Sequence, residues 1–269
     1  MIHTPNCKIN LGLFVTEKRP DGFHNLETIF LPVPLCDRLE IEKSDAFSFQ
    51  LEGIPLDSDS ESNLCVKAYR LLKQDFPQIG NVRIRLKKNI PFGAGLGGGS
   101  ADAAETLKML DKLFKLGLSV PRLQEYAARL GSDCPVFIGN KAVFATGRGD
   151  IFHEMPAIDF RHCEMLLLKP SDSVSTAEAY RGIRPRPAPC DLREAVRRPM
   201  DTWKKSIVNQ FEESVFPEHP AIRECKERLY REGAVYASMT GSGACVFGFF
   251  PEGKTPEIRD VESWHIGKL

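Results

Sequence analysis

Residues 91–104 read Pro-Phe-Gly-Ala-Gly-Leu-Gly-Gly-Gly-Ser-Ala-Asp-Ala-Ala, and no other stretch restricts the fold so tightly. Five glycines fall within seven positions: Gly93, Gly95, Gly97, Gly98 and Gly99. A turn needs only one or two. Five let the backbone take φ > 0 and bring its N–H groups close to a ligand. Upstream, Val82-Arg-Ile-Arg-Leu has strand character. Downstream, Ala103, Leu107, Leu110 and Phe114 recur at helical spacing on one face. The pattern predicts strand, glycine turn and helix, with the helix beginning at Ser100. Unpaired N–H groups and the positive dipole end at such a start suit a polyphosphate.

Several phosphate loops compete for this pattern. A Walker A loop needs Gly-Lys-Ser/Thr entering the helix, and here Gly99-Ser100-Ala101 enters without a lysine. Gly93-Ala-Gly95-Leu-Gly-Gly98 matches G-x-G-x-x-G. A dinucleotide fold, however, needs a second parallel strand with an acidic end about 20 residues on. Residues 120–130 instead carry another helical stripe of Leu123, Tyr126, Ala127 and Leu130. The protein-kinase loop needs a V-A-I-K strand and an H-R-D loop, and neither follows.

The segment Pro91-x-x-x-Gly95-Leu96-Gly97-Gly98-Gly99-Ser100-Ala-Asp-Ala-Ala resembles the ATP loop of the GHMP kinases. These are the small-molecule kinases named for galactokinase, homoserine kinase, mevalonate kinase and phosphomevalonate kinase. Two further segments resemble the same family, in the same order: Pro5-Asn-Cys-Lys8-Ile-Asn10-Leu-Gly-Leu and Met239-Thr-Gly241-Ser242-Gly243-Ala-Cys-Val-Phe. Within the family, Arg19-Pro-Asp-Gly22-Phe23-His24-Asn-Leu-Glu-Thr28 and Gly131-Ser-Asp133-Cys-Pro135-Val-Phe137 resemble one branch. Its substrate is 4-diphosphocytidyl-2-C-methyl-D-erythritol.

The resemblance implies transfer of the ATP γ-phosphoryl group to the 2-hydroxyl of that compound, in the non-mevalonate route to isoprenoid precursors. It implies an α+β, two-lobe fold. An N-terminal ribosomal-protein-like lobe, residues 1–150, would bind ATP. A C-terminal ferredoxin-like lobe, residues 151–269, would complete an active site between the two.

Phosphoryl transfer asks the protein to place a hydroxyl in line and to stabilise spreading charge. Asp133, on a short loop between Gly131 and Pro135, is the expected catalytic and substrate-contacting carboxylate. Its bland alternative is a helix cap. Lys8 is the second catalytic candidate, since an ammonium there can pair with Asp133; its alternative is an exposed strand-edge lysine. Asn10 alternates with Lys8 along a strand expected over 2–14 and should bind substrate or position a loop.

By resemblance, His24 hydrogen-bonds the cytosine, and Phe23, where the family usually has Tyr, stacks on it. Tyr180, in Ser175-Thr176-Ala-Glu-Ala-Tyr180, forms the other wall, with Thr176 beside it. Asn63 and Leu64, a helix cap and its first residue, join Lys88 at the adenine. Residues 240–243, with Gly241 and Ser242, offer a second anion nest or a simple hairpin turn. Mg²⁺ is expected with ATP. The sequence provides no dedicated carboxylate cage, and Ser100 is a candidate ligand.

Composition narrows the partners. Thirty-six basic and thirty-six acidic residues cancel, so no nucleic-acid footprint is evident. Eight scattered cysteines show no C-x-x-C or Cys/His cluster, which argues against a zinc site. With no signal peptide or membrane-spanning run, the expectation is a cytoplasmic enzyme with reduced thiols, a monomer or weak homodimer acting on a small molecule. Helices are expected over 201–211 and 220–232, the latter closed by Gly233. Strands are expected over 235–239 and 244–250 and at the C-terminus, an exposed loop at 184–189, and a boundary between 147 and 161.

Overall fold

The computed structural model describes residues 1–55 and 60–268, which contain three four-stranded sheets and nine α-helices. In chain order come β1 (Ile2–His3), β2 (Asn6–Lys18), β3 (His24–Cys36), β4 (Arg38–Lys43), β5 (Ser48–Gly53), α1 (Leu64–Asp75) and β6 (Val82–Lys88). Then follow α2 (Gly98–Phe114), α3 (Val120–Leu130), α4 (Cys134–Gly139), β7 (Val143–Thr146), β8 (Ile151–His153) and β9 (Cys163–Lys169). The last are α5 (Thr176–Arg181), α6 (Leu192–Ala195), α7 (Trp203–Ser206), α8 (Glu212–Glu218), α9 (Pro220–Arg231), β10 (Tyr236–Met239), β11 (Val246–Pro251) and β12 (Glu262–Lys268).

These elements form two units interleaved along the chain. Unit 1 takes residues 1–8, 35–92 and 97–141; unit 2 takes 9–34, 93–96 and 142–269.

In unit 1 the sheet order is β1-β4-β6-β5, antiparallel except for the parallel β5–β6 pair. Strand β6 alternates as a half-buried strand should: Val82, Ile84 and Leu86 point inward, Arg83 and Lys87 outward. Lys88 continues the inward set, so its ammonium is carried to the apolar side. Helix α2 buries Ala103, Leu107 and Leu110 and packs against α1, α3 and α4. It begins at Gly98, two residues before the expected start, because Gly97 at φ +70° already serves as the cap and its carbonyl accepts the Ala101 N–H. Helix α3 has the expected bounds and buries Leu123, Tyr126 and Ala127, with Ser119 capping its start.

Unit 2 contains the sheets β2-β3-β7-β8 and β10-β11-β9-β12, the latter antiparallel throughout. Helix α9 buries Ile222, Cys225 and Leu229 in a core shared with Leu166, Leu168, Val246 and Phe250. It ends where Gly233 takes φ +99° and donates to the Tyr230 carbonyl. Residues 147–150 are the turn of the β7–β8 hairpin.

Two expectations fail. The strand over 2–14 is broken at Thr4–Pro5 into β1 and β2, since proline cannot donate to a ladder. The helix over 201–211 does not form: a 3₁₀ turn (Met200–Thr202) and the four-residue α7 stop at Ile207. Beyond it the backbone is claimed by β2, with the Leu13 N–H donating to the Val208 carbonyl and the Gln210 N–H to the Leu13 carbonyl. Tertiary pairing outweighs helix propensity there. No described helix is long and apolar enough to cross a membrane.

Candidate active site

In unit 1 the head of α2 gathers most residues expected around a nucleotide. A Cβ on Gly97 would lie 3.1 Å from Lys8 Cε and from the Phe137 ring. One on Gly98 would lie 2.8 Å from Ile90 Cγ2 and 3.4 Å from Lys88 Nζ. One on Gly99 would lie 3.8 Å from Leu64 Cδ1, so the start of α1 stands beside the start of α2. Asn63 caps α1, its Oδ1 accepting the Cys65 N–H at 2.9 Å. Ser100 hydrogen-bonds the Cys134 thiol, which burial pushes up to about 11. Pro91 is buried and Phe92 exposed.

Lys8 Nζ lies 3.3 Å from Asp133 Oδ2. Lys8 is buried, which rules out an exposed strand-edge lysine. Asp133 occupies the cap position of α4, yet its side chain makes no capping bond. The carboxylate turns to Lys8 instead, a third of it exposed, as a group that meets a substrate must be.

Lys88 is placed differently from expectation. Its ammonium is buried against Asp37 and lies 2.7 Å from Asp102 Oδ2. Burial opposes its charge, but Asp102 and Asp37 together hold it above its ordinary value. Asp37 Oδ1 also accepts the N–H groups of Asn89 and Ile90 at 2.6 and 2.8 Å. Burial pushes the Asp102 carboxyl up, against the pull of Lys88, and its Oδ1 is buried with no hydrogen-bond partner among the described residues. This triad ties the entry and exit of the glycine loop together from below.

Unit 2 contributes the middle of the loop. Gly93, at φ +64°, has open space where a Cβ would stand, and Leu96 is buried. Gly95 has φ +72°, and a Cβ there would fall 2.1 Å from the Thr240 carbonyl oxygen. Asn10 is buried and fully used. Its Nδ2 donates to Thr28 Oγ1 at 2.8 Å, its Oδ1 accepts the Gly241 N–H at 3.1 Å, and its N–H donates to Thr240 Oγ1 at 3.0 Å. Of the two parts expected of Asn10, this geometry serves loop positioning.

The N–H groups of Thr240 and Gly243 are likewise bonded, to the carbonyls of Cys245 and Thr240. Three of the four N–H groups over 240–243 thus stay within unit 2, and the anion nest narrows to Ser242. Ser242 Oγ lies 3.4 Å from Thr176 Oγ1.

His24 and Tyr180 come together as stacked rings, centroids 4.8 Å apart at 22°. Burial, with Lys18 nearby, holds the His24 imidazole below its ordinary value, so it is neutral near pH 7. Phe23 does not join the stack; it is exposed and covered on one face by Arg148, 5.1 Å from the ring centroid. A cavity of about 670 Å³ elsewhere in unit 2 is lined by Glu17, Glu27, Asp191 and Arg193 among others. It holds none of the expected residues, and its three carboxylates ill suit a diphosphate.

The family model "GHMP kinases N terminal domain" matches residues 63–145, and "GHMP kinases C terminal" matches 192–261. A 4-diphosphocytidyl-2-C-methyl-D-erythritol kinase of Bacteroides thetaiotaomicron is 51% identical over 262 residues, covering 96% of this chain and 95% of that protein. The chain belongs to the 4-diphosphocytidyl-2-C-methyl-D-erythritol kinase family. The kinase of the same name from Bacteroides fragilis is also 51% identical, over 263 residues, with 96% and 95% coverage. A crystal structure titled 4-(cytidine 5'-diphospho)-2C-methyl-D-erythritol kinase superposes with a TM-score of 0.78 at 32% identity, covering 94% of this chain and 90% of that one. The fold is the α+β GHMP-kinase fold with N- and C-terminal domains.

Within each unit, further residues that no motif marks hold these segments in place. Asn209, buried, donates from Nδ2 to the Met239 and Gly241 carbonyls, both at 2.8 Å. Asp37 and Asp102 hold Lys88. The one available signal was the amide pair Asn209-Gln210 inside the apolar run Ile207-Val208-…-Phe211.

Because Gly97 has positive φ and its would-be Cβ space is filled by Lys8 and Phe137, Gly97→Val should weaken ATP binding roughly ten- to a hundredfold, from strain of about 1–3 kcal/mol. Calorimetric titration of the folded variant with ATP checks this; unchanged affinity would mean the loop does not hold phosphate.

Proposed function

We propose that this chain transfers the γ-phosphoryl group of ATP to the 2-hydroxyl of 4-diphosphocytidyl-2-C-methyl-D-erythritol, a step toward isoprenoid precursors by the non-mevalonate route. The Lys8–Asp133 pair, set against Gly97 at the head of α2, carries the reading. Asp133 takes the hydroxyl proton or stabilises its loss. Lys8 keeps the carboxylate in place and stabilises the attacking oxygen. The backbone of Gly93, Gly95 and Gly97–Ser100 would meet the phosphates, with open space where a Cβ on Gly93 would stand, and Asn63–Leu64 flank the adenine. Lys88 acts from beneath, through the loop it anchors.

Mg²⁺ bound to the ATP phosphates would neutralise the β and γ oxygens. Ser100 is the side chain on this loop with an oxygen to offer. Among the described residues no group of three His, Cys, Asp or Glu could hold a metal ion; Mg²⁺ arriving with its nucleotide would keep several waters.

The neutral His24 can donate to or accept from the cytosine edge, and Tyr180 supplies a ring face. A base lying on the His24-facing side of Tyr180 must part the two rings. Phe23 can stack but lacks the phenolic contact of the usual Tyr. We assign ATP binding to residues 1–150 and completion of the substrate site to 151–269.

A coupled ADP-release assay against 4-diphosphocytidyl-2-C-methyl-D-erythritol, homoserine, mevalonate and galactose tests the proposal. Turnover is expected with the cytidylyl compound alone. Robust turnover of homoserine or mevalonate, with none of the cytidylyl compound, would refute it.

A further inference from the structure

Helix α5 carries Tyr180 but has only six residues, too few to hold its own conformation. Its setting must come from outside. At its far end the Ser214 hydroxyl donates to the Ala179 carbonyl at 2.7 Å. At its near end Ser175 and Glu178 form a reciprocal cap: the Glu178 N–H donates to Ser175 Oγ at 3.1 Å, and Glu178 Oε2 accepts the Ser175 N–H at 3.4 Å. The second oxygen of Glu178 leaves the helix. Oε1 lies 3.1 Å from Nε2 of His219, the residue that joins α8 to α9. On the other side of the same ring, Nδ1 lies 3.1 Å from Asp172 Oδ2, on the segment between β9 and α5.

An ionised carboxylate can only accept. A ring with both nitrogens against carboxylates must therefore donate from both, as imidazolium. We propose that His219 is a positioning residue for the cytidylyl substrate: it clips Asp172 to Glu178 and so fixes α5, and with it the ring of Tyr180. This inference rests on the reading of Tyr180 as a wall of the cytosine slot.

The charged and titratable groups around the clip are Asp172 and Glu178 themselves, Arg181 acting on Glu178, and Cys225 of α9 near Asp172. Burial opposes the His219 charge, but Glu178 and Asp172 outweigh it, so the ring titrates above its ordinary value. The sign follows. The clip is whole while the ring is protonated and the carboxylates are ionised, and it is lost as pH rises through the raised value. Neutral imidazole has one N–H, so one nitrogen then presents a lone pair to a carboxylate and that contact opens.

Steady-state kinetics of the full chain between about pH 6 and 9.5 test this, with KM taken separately for the cytidylyl substrate and for ATP. In the parent, KM for the cytidylyl substrate should rise roughly three- to tenfold through the His219 titration, a fraction of one charged hydrogen bond, with KM for ATP unchanged by it. His219→Gln should show the raised KM already at pH 6 and no step above it. Asp172→Ala, which removes the clip from its other end, should do the same and keeps the test open if the first variant folds poorly. Parent-like KM profiles in both variants, or equal shifts in both KM values, would overturn the inference while leaving the kinase reading intact. Absence of turnover of the cytidylyl compound by the parent chain would overturn both.

Discussion

Asp133→Asn should lower kcat by about 10²–10⁴-fold while leaving ATP affinity nearly intact. The two side chains are nearly isosteric, so the loop into α4 keeps its shape; the cap position loses nothing, because Asp133 makes no capping bond. What disappears is a carboxylate 3.3 Å from the Lys8 ammonium, and with it the group proposed to accept the hydroxyl proton. ATP affinity should survive because, on the proposed reading, the phosphates are held by the backbone of the glycine loop, which the substitution leaves alone. Lys8→Met should act in the same direction, since the thioether chain fills the space beside Gly97 without the charge. The double variant should lose less than the product of the single losses, because the two residues act as one unit. Single-turnover measurement of ADP formation under saturating ATP checks the chemical step. Near-normal kcat in Asp133→Asn would remove Asp133 from the mechanism.

The parts of this architecture legible in the sequence are those governed by local patterns. The stripe Leu123, Tyr126 and Ala127 defined α3 because a 3.6-residue period and the Ser119 cap agree. Ile222, Cys225 and Leu229 did the same for α9, closed by Gly233. The glycines of 93–99 pointed to a phosphate loop because positive φ is a property of glycine itself, and three of them use it.

What stayed hidden depends on residues far apart in the chain. Nothing near Ile207 announces that β2 will take the backbone of Val208 and Gln210. Lys88 is paired with Asp37, 51 positions away. Gly241 is held by Asn10 across 231 positions. The pairing of Lys8 with Asp133 rests on opposite charge between two candidate residues; no periodicity links a strand residue to a distant loop. His24 and Tyr180 are expected to share one slot, and the structure stacks them directly on each other, so on the proposed reading a base between them must first part the rings.

Lys88→Met should destabilise the protein by about 3–5 kcal/mol, the cost of leaving buried charge uncompensated. The ammonium sits with almost no solvent contact between Asp37 and Asp102, both themselves buried. A methionine matches its stem, so packing loss is small and the effect is electrostatic. The two carboxylates are not equal. Asp37 keeps the N–H groups of Asn89 and Ile90 when Lys88 is gone. Asp102 has no such backbone donors among the described residues, and one of its oxygens already lacks a partner. Burial drives its carboxyl toward the protonated form, and without Lys88 that drive is unopposed. A folded-state value raised above the unfolded one contributes stability in acid and loses it as pH rises. The deficit of Lys88→Met relative to the parent should therefore be smaller at pH 5 than at pH 8. For the same reason Lys88→Met combined with Asp102→Asn should recover part of the loss, since it leaves only the carboxylate that has backbone donors. Because Lys88 Nζ also lies beneath Gly98, the single variant should raise KM for ATP more than KM for the cytidylyl substrate. Urea unfolding at the two pH values, with parent, single and double variants in parallel, decides the matter. A Lys88→Met protein that unfolds at the parent's urea concentration at pH 8 would show that the triad does not anchor the loop.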